Sequence, residues 1–219
     1  NCVSEFQIAY DFSEDNEKLK KAKTIREIMG VEGGVAWKYW NEFSKAIPEK
    51  YDFCSRIDQY RRPVAAGDMV NVMLNYGYAL LEAECLRAIN TVGLDAHVGF
   101  LHEMNSSKNS LAYDIQEPFR FLVDLAVINL IETERMDAKD FIRTESYSLR
   151  LKPSGAKKVT EEFQNWMNKK VPYQKNSVTW NYALLLKTRE LVQYLIEKRK
   201  TIDFSKPEFT IDRQDSEDI

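Results

Sequence analysis

The chain has 219 residues, 44% of them apolar and 30% charged, with a formal net charge of −3, a composition typical of a globular protein with a sizeable core. Its longest apolar run without a charge, residues 69–81, is too short to span a bilayer, and no signal peptide is visible at the start. Three cysteines without metal-type spacing indicate a reducing compartment, so we expect a soluble cytoplasmic protein without a membrane partner.

The amino-terminal part of the chain has the apolar spacing of amphipathic helices. A charged helix is predicted over residues 14–29, with Gly30 as its stop. A second helix follows over residues 31–46 and is closed by Pro48. The stretch 47–66 is predicted to be a loop.

Two later helices are apolar on nearly all sides, which predicts that they are buried. The first begins after Asp68 as N-cap and ends at Gly93, and the second covers about residues 114–133. A short strand at 146–151 and helices at about 156–170 and 177–199 complete the chain. The predicted fold is therefore all-α, with two buried central helices wrapped by amphipathic ones and at most a minor β element.

Glu82 falls within the first of these buried helices. An ionised carboxylate there is costly unless it is paired or binds a cation. Glu84 points to roughly the opposite side, where we expect the surface or a salt bridge. The helical neighbours predicted to share the face of Glu82 are apolar or aromatic: Tyr78, Ala79, Cys85, Leu86 and Ile89.

Asp114 and Glu117 form a D-x-x-E pattern at the predicted start of the second buried helix. By itself this pattern favours a helix cap, with Asp114 at the N-cap and Glu117 at N3, and Pro118 suits a first helical turn. His102, in the loop before that helix, is by itself typical of a structural or surface histidine. The same applies to His97, the other histidine of the chain.

Taken together, Glu82, His102 and Glu117 suggest a metal site. They converge if the two buried helices pack side by side across the loop that joins them. Carboxylates with one imidazole suit Mn²⁺ or Mg²⁺ better than structural zinc. Such an ion polarises a phosphoryl oxygen and activates water or a hydroxyl group.

Positive charge is concentrated in residues 152–200, where eleven Lys or Arg stand against four Asp or Glu. This segment is either a solvated helix face or a surface for a polyanion. If DNA binds there, Lys157 and Lys158 would follow its backbone. Three aromatic residues of the segment would stack on unpaired bases or, as their helical spacing favours, belong to the core: Trp166, Tyr173 and Trp180.

Three blocks of sequence resemble the signature blocks of the CRISPR adaptation integrases. They are NYGYALLEAE at 75–84, GLDAHVGFLHE at 93–103 and KNSLAYDIQEPFRFLVD at 108–124. Flanking segments resemble the same family: GVEGGVAWKYW, RRPVAAGDMVNVMLNYGY, LRLKPSGAKKVTEEF and LVQYLIEKRK. The resemblance runs in order from about residue 22 to residue 200.

The resemblance implies an all-α, metal-dependent enzyme that joins DNA by transesterification. A 3′-hydroxyl of the incoming DNA attacks a phosphodiester of the target, as in CRISPR spacer acquisition. It also implies that Asp114 is an acid beside the site, and that Lys108 and Ser110 lie where a phosphate is contacted. The implied metal ligands are Glu82, His102 and Glu117.

The family further implies DNA as partner, a homodimer or higher assembly, and a second CRISPR adaptation protein. Residues 1–200 are expected to form the helical catalytic domain and residues 201–219 an acidic extended tail. The β-rich domain of about a hundred residues that precedes this domain in the family is absent from the sequence.

Other functions stay open at this point. The transposon-borne casposases share the same chemistry, and the CRISPR branch is preferred here only because it is commoner. A DNA-binding scaffold without catalysis would keep the same fold. A hydrolase of small phosphoesters is the third candidate, and the basic segment argues against it.

Overall fold

The computed structural model of the protein describes residues 12–53, 55–56, 67–102, 108–144 and 149–202. The predicted tail beyond residue 202, most of the loop at 57–66, positions 146–148, and Cys2 and Cys54 lie outside the described residues. Cys85 is a free thiol in the core, and burial raises its pKa. Within the described ranges no helix is long and apolar enough to cross a membrane.

The described chain is mainly helical, as predicted. Seven α-helices are described, with three short 3₁₀ turns at Glu49–Tyr51, Glu117–Phe119 and Ala138–Asp140. The helices are α1 (Ser13–Lys21), α2 (Ile25–Ala46), α3 (Met69–Val92), α4 (Ser110–Gln116), α5 (Phe121–Glu132), α6 (Pro153–Asn168) and α7 (Trp180–Leu195).

Two antiparallel hairpins form the minor β component. They pair β1 (Phe141–Arg143) with β2 (Leu149–Leu151), and β3 (Lys170–Tyr173) with β4 (Asn176–Thr179). The strand predicted near 146–151 is confirmed over its described part. The β3–β4 hairpin was not predicted, because its strands are only four residues long and lie between two strongly helical segments.

Helices α3 and α5 form the centre of the core, which confirms the two predicted buried helices. The limits of α3 are also confirmed, since the Asp68 side chain accepts a hydrogen bond from the Asn71 N–H and Gly93 ends the helix in the left-handed region. Large fully buried side chains pack around both helices, among them Phe43, Tyr51, Met73, Leu81, Phe119, Leu130 and Trp180.

The predicted boundary at Gly30 is wrong. The chain breaks earlier, at Ala22, and α2 runs uninterrupted through Gly30 and two further glycines. A capping box starts α2, because Thr24 accepts from the Glu27 N–H while the Glu27 carboxylate accepts from the Thr24 N–H. A glycine stops a helix where the backbone turns left-handed, and here it stays helical.

The start of the second buried segment also differs from the prediction. Helix α4 begins at Ser110 and includes Asp114, and the 3₁₀ turn at Glu117–Phe119 separates it from α5. The predicted capping pair of Asp114 as N-cap and Glu117 at N3 is therefore wrong. Neither carboxylate caps a helix, and each one bonds to other groups.

At Gly77, α3 comes into close contact with α5. A Cβ placed on it would lie 2.5 Å from Cγ1 of Val123. A Cβ on Gly34, within α2, would meet nothing within 4 Å. The absence of a side chain is thus needed for packing at one glycine and not at the other.

We expect opposite effects from alanine at these two positions. Gly77→Ala should lower the free energy of unfolding by about 1–3 kcal/mol, because the central helices must separate. Gly34→Ala should raise it by roughly 0.5–1 kcal/mol through helix propensity alone. Urea denaturation of both variants measures the difference, and equal effects would contradict the close contact of α3 with α5.

Candidate active site

The carboxylate of Asp114 organises the loop that joins α3 to α4. Its Oδ2 accepts hydrogen bonds from the backbone N–H groups of Phe100 (2.5 Å) and Leu101 (3.1 Å). Its Oδ1 accepts from the backbone N–H of His102 (3.0 Å) and lies 2.6 Å from the Nδ1 of the same residue. The side chain of Asp114 is fully buried, so this cluster fixes both the loop and the imidazole.

Gly99 allows the loop to approach Asp114 this closely. A Cβ at this position would lie 2.7 Å from the Oδ2 of Asp114, 2.9 Å from the carbonyl oxygen of His102 and 2.9 Å from the Cβ of Ser110. Any larger residue would push the loop away from its anchor. The G-x-x-H spacing of residues 99–102 is therefore a packing requirement of the site.

His102 is oriented by this anchor. A carboxylate only accepts hydrogen bonds, so the Nδ1 that faces Asp114 carries the proton. The neutral ring then has its lone pair on Nε2, the state in which an imidazole binds a cation or takes up a proton. The ring keeps 30% of its accessible area, which leaves it open to solvent on one side.

Glu82 lies at the edge of α3 and is only half-buried. Its Oε1 accepts a hydrogen bond from the Asn109 side chain at 2.9 Å. The hydroxyl of Tyr113 also bonds to Glu82; burial raises the pKa of this tyrosine and the nearby carboxylate raises it further. The Tyr113 ring packs edge-on against the His102 ring at 5.9 Å, so it connects Glu82 with the histidine.

The buried carboxylate of α3 is Glu84, in contrast to the prediction. Its side chain is 7% exposed and pairs with Arg87 at 2.7 Å, which confirms the predicted salt bridge and corrects the surface position. The prediction that Glu82 is buried was therefore wrong in part. Which edge of α3 is solvated depends on where α4 packs, and the sequence of α3 does not show this.

Glu117 lies on the 3₁₀ turn between α4 and α5, and its Oε1 accepts a hydrogen bond from Arg120 at 2.8 Å. Glu32, on α2, is a neighbour that no sequence pattern indicated. Loss of water raises the pKa of Glu32 and the charge of Glu117 raises it further, whereas His102 and Arg120 act in the opposite direction. Only the packing of α2 brings position 32 to this region.

The predicted ligands share one region but make separate hydrogen bonds. Glu82 is bonded to Asn109, His102 to Asp114, and Glu117 to an arginine. In the part of the chain that the structure describes, no three His, Cys, Asp or Glu side chains are grouped closely enough to hold a metal ion. The donor types still fit a hard divalent cation, and the Asp114 contact is the outer-shell support that a ligating histidine needs.

The residues predicted to contact a phosphate differ in accessibility. Lys108 is exposed just before α4, whereas Ser110 is 1% exposed. Lys157 is largely exposed on α6 and faces Glu161 at 3.7 Å. Lys158 instead reaches the buried carboxylate of Asp140 at 2.7 Å.

The three aromatic residues of the basic segment that were considered for base stacking belong to the core, as their spacing favoured. Trp166 is 4% exposed, Tyr173 7% and Trp180 0%. His97, the second histidine, is a surface residue whose Nδ1 lies 3.0 Å from Asp95. The three aromatic side chains are therefore not accessible for stacking on DNA bases in the folded chain.

Comparison with known proteins identifies the family. Residues 5–165 match the family described as CRISPR associated protein Cas1. A CRISPR-associated endonuclease Cas1 of Archaeoglobus fulgidus is 32% identical over 189 residues, which cover 85% of this chain and 54% of the relative. One from Thermus thermophilus is 32% identical over 182 residues, covering 82% of this chain and 53% of the relative. The chain belongs to the Cas1 family and spans about half the length of these relatives.

Solved structures agree with the fold. A casposase bound to an integration product is 62% identical to this chain, with a TM-score of 0.91 over 96% of this chain and 62% of that one. A CAS1 protein from Thermotoga maritima is 22% identical, with a TM-score of 0.76 over 90% of this chain and 62% of that one. The second likeness concerns the fold alone.

We expect Asp114→Asn to loosen the loop. The amide NH₂ of the introduced asparagine cannot accept hydrogen bonds, so buried N–H groups are left without partners. The variant should therefore lose about 2 kcal/mol of stability. The proton of the His102 ring should also move away from Nδ1. Thermal denaturation and the ¹⁵N shifts of the ring measure both effects.

Asp95→Asn is the matched control, because Asp95 bonds to the backbone and ring of His97 in the same way but at the surface. It should leave the stability and the His102 tautomer unchanged. An Asp114→Asn variant that behaved like this control would contradict the anchoring role of Asp114.

We expect Lys158→Ala to destabilise the protein by about 3 kcal/mol at pH 7, because it leaves the buried Asp140 unpaired. Burial acts to raise the pKa of Asp140, but hydrogen bonds from Lys158, the Asp137 backbone and Ser154 outweigh it, so the pKa is lowered. This stabilisation is present above the unfolded pKa of about 3.9 and disappears as the pH falls through the folded value.

The loss caused by Lys158→Ala should therefore shrink as the pH falls below about 4. Chemical denaturation at pH 7 and at acid pH measures this dependence. Lys157→Ala, one position along the same helix, should have no measurable effect on stability. A loss in Lys158→Ala that is independent of pH would show that the ion pair is not its cause.

Proposed function

We propose that this chain is the helical catalytic domain of a DNA integrase of the casposase type. The reaction joins a DNA 3′-hydroxyl to a phosphodiester of the target duplex by transesterification. The observation that supports this most strongly is the 62% identity, over 96% of the chain, with a casposase bound to an integration product. That identity favours the transposon branch over the CRISPR branch, which the sequence alone could not separate.

In this proposal Glu82, His102 and Glu117 hold a divalent cation, Mn²⁺ or Mg²⁺. When bound, the cation would act as a Lewis acid on the phosphoryl oxygen and favour the ionised form of the attacking hydroxyl. Asp114 holds the His102 ring with Nε2 directed away from the carboxylate, and Gly99 lets the loop approach. These contacts keep the loop histidine oriented before any ligand arrives.

DNA contacts come from charge on the surface. Lys108 is exposed just before α4, the helix that leads to the turn carrying Glu117, and Lys157 is exposed on α6. Contacts of this kind bind the phosphate backbone without reading sequence. Lys158 and Ser110 were predicted for the same role. Lys158 is paired with Asp140 and Ser110 is buried, so both have less access to a phosphate.

Two other functions keep some support. The 32% identity with Cas1 endonucleases leaves a role in CRISPR adaptation, with a second adaptation protein as partner. A scaffold that binds DNA without catalysis would keep the fold and lack metal affinity. A homodimer or higher assembly is expected for both integrase functions, because both DNA ends must be joined to one target.

An integration assay tests the proposal. Short duplexes with free 3′ ends and a supercoiled plasmid are incubated with Mn²⁺ or Mg²⁺, and the junctions are sequenced. Glu82→Gln and His102→Ala should lower strand transfer at least about a hundredfold, the scale of losing a group that stabilises the transition state. A chelator should abolish the reaction.

His97→Ala is the matched control, since His97 lies in the same loop and outside the proposed site. It should retain wild-type strand transfer. Full activity in Glu82→Gln or His102→Ala, with the fold intact by circular dichroism, would refute the proposed site. Junctions confined to a CRISPR leader would instead assign the chain to the adaptation branch.

A further inference from the structure

Arg120 connects the candidate site with the core of the protein. It follows the 3₁₀ turn at Glu117–Phe119, whose tight winding places positions three apart on the same side. Its Nη1 donates to the Oε1 of Glu117 at 2.8 Å. Both side chains keep about a third of their accessible area, 33% for Arg120 and 32% for Glu117. The pair is thus reachable by an ion from solvent.

The other face of the Arg120 guanidinium rests on Tyr78 of α3. Its central carbon lies 4.7 Å from the centroid of the tyrosine ring, within the range of a cation–π contact. The Tyr78 hydroxyl donates to Oδ1 of Asp124 at 2.5 Å, and the Tyr39 hydroxyl donates to Oδ2 at 2.7 Å. Arg120 is therefore also held by its contact with the Tyr78 ring, which does not involve Glu117.

Asp124 fixes the Tyr78 ring of this second anchor through the Tyr78 hydroxyl. The residue is 5% exposed, and the hydrogen bonds it accepts from Tyr39 and Tyr78 come from neutral groups. The charges of Arg120 and Arg56 favour its ionised form, although burial raises its pKa overall. A guanidinium that lost Glu117 would still face the Tyr78 ring.

We propose that Arg120 is the counter-ion of Glu117 in the metal-free protein, and that a divalent cation must displace it from this carboxylate. The inference rests on the proposed function, in which Glu117 is a metal ligand. Arg120 then lowers the affinity of the site for its cation. When no cation is bound, Arg120 balances the negative charge of Glu117. Because the Tyr78 ring retains the guanidinium, the exchange needs no large movement.

The sign of the effect follows from electrostatics. A cation that binds Glu117 must weaken the attraction between this carboxylate and Arg120. The cation is also repelled by the nearby guanidinium. A neutral side chain at position 120 removes both penalties. We therefore expect Arg120→Gln to bind Mn²⁺ about tenfold more tightly than the wild-type chain, with the difference shrinking at high salt.

Calorimetric titration of the 219-residue chain with Mn²⁺ alone tests the inference without relying on activity. Arg120→Lys keeps the charge and should bind close to the wild-type affinity. Arg56→Gln is the matched control, because Arg56 also lies over the Tyr78 ring, at 4.8 Å, but donates to Asn71 and Asn75 instead of Glu117. It should change the affinity much less than Arg120→Gln does.

A second measurement covers the case in which Arg120→Gln does not fold. In the wild-type chain, the Nε–Hε resonance of Arg120 should shift on addition of Mg²⁺, while that of Arg56 stays in place. Shifts in the first signal alone support the exchange. An unmoved Arg120 signal at saturating Mg²⁺ overturns it.

The outcomes separate this inference from the proposed function. Equal or weaker Mn²⁺ binding in Arg120→Gln, with wild-type binding intact, overturns the inference and leaves the metal site standing. The same applies if Arg56→Gln tightens binding as much as Arg120→Gln. Absence of Mn²⁺ binding in the wild-type chain and in every variant overturns both.

Discussion

The buried carboxylate of Asp114 is the interaction on which the candidate site depends. One side chain accepts three backbone hydrogen bonds and faces the imidazole of His102, so loop position and ring orientation have a common origin. A buried carboxylate is costly unless each oxygen is satisfied, and here the loop satisfies both. The loop, in turn, has this shape only because Gly99 has no side chain to separate it from α4.

The central helices supply the platform for this loop. Helix α3 carries Glu82 on its solvated edge, Glu84 in an ion pair, and Tyr78 against the core network of Asp124. Helices α4 and α5 are separated by the 3₁₀ turn that brings Glu117 to the surface. Glu117 thus lies at the junction of the two helices, beside Arg120.

Membership of the Cas1 family and the likeness to a casposase give these residues a chemical context. The predicted ligands are spread over α3, the loop after it and the turn after α4, and each is bonded within the protein. Binding a cation there would exchange the hydrogen bonds of Glu82 and Glu117 for metal bonds, while His102 would keep its contact with Asp114, so the partners of each ligand influence the strength of binding. These partners are Asn109, Tyr113, Asp114 and Arg120.

The sequence by itself determined the class of fold, the two buried helices and the caps at Asp68 and Gly93, because apolar periodicity and capping chemistry are local properties. The site residues Glu82, His102 and Glu117 stay a prediction. The break at Ala22 was not predicted, although the capping box of Thr24 and Glu27 is a sequence pattern that marks the start of a helix. Only the tertiary structure decided that Asp114 anchors a loop, that Glu82 is less buried than Glu84, and that Lys158 pairs with Asp140. These outcomes depend on which distant side chain lies opposite each charge, and no local pattern encodes that pairing.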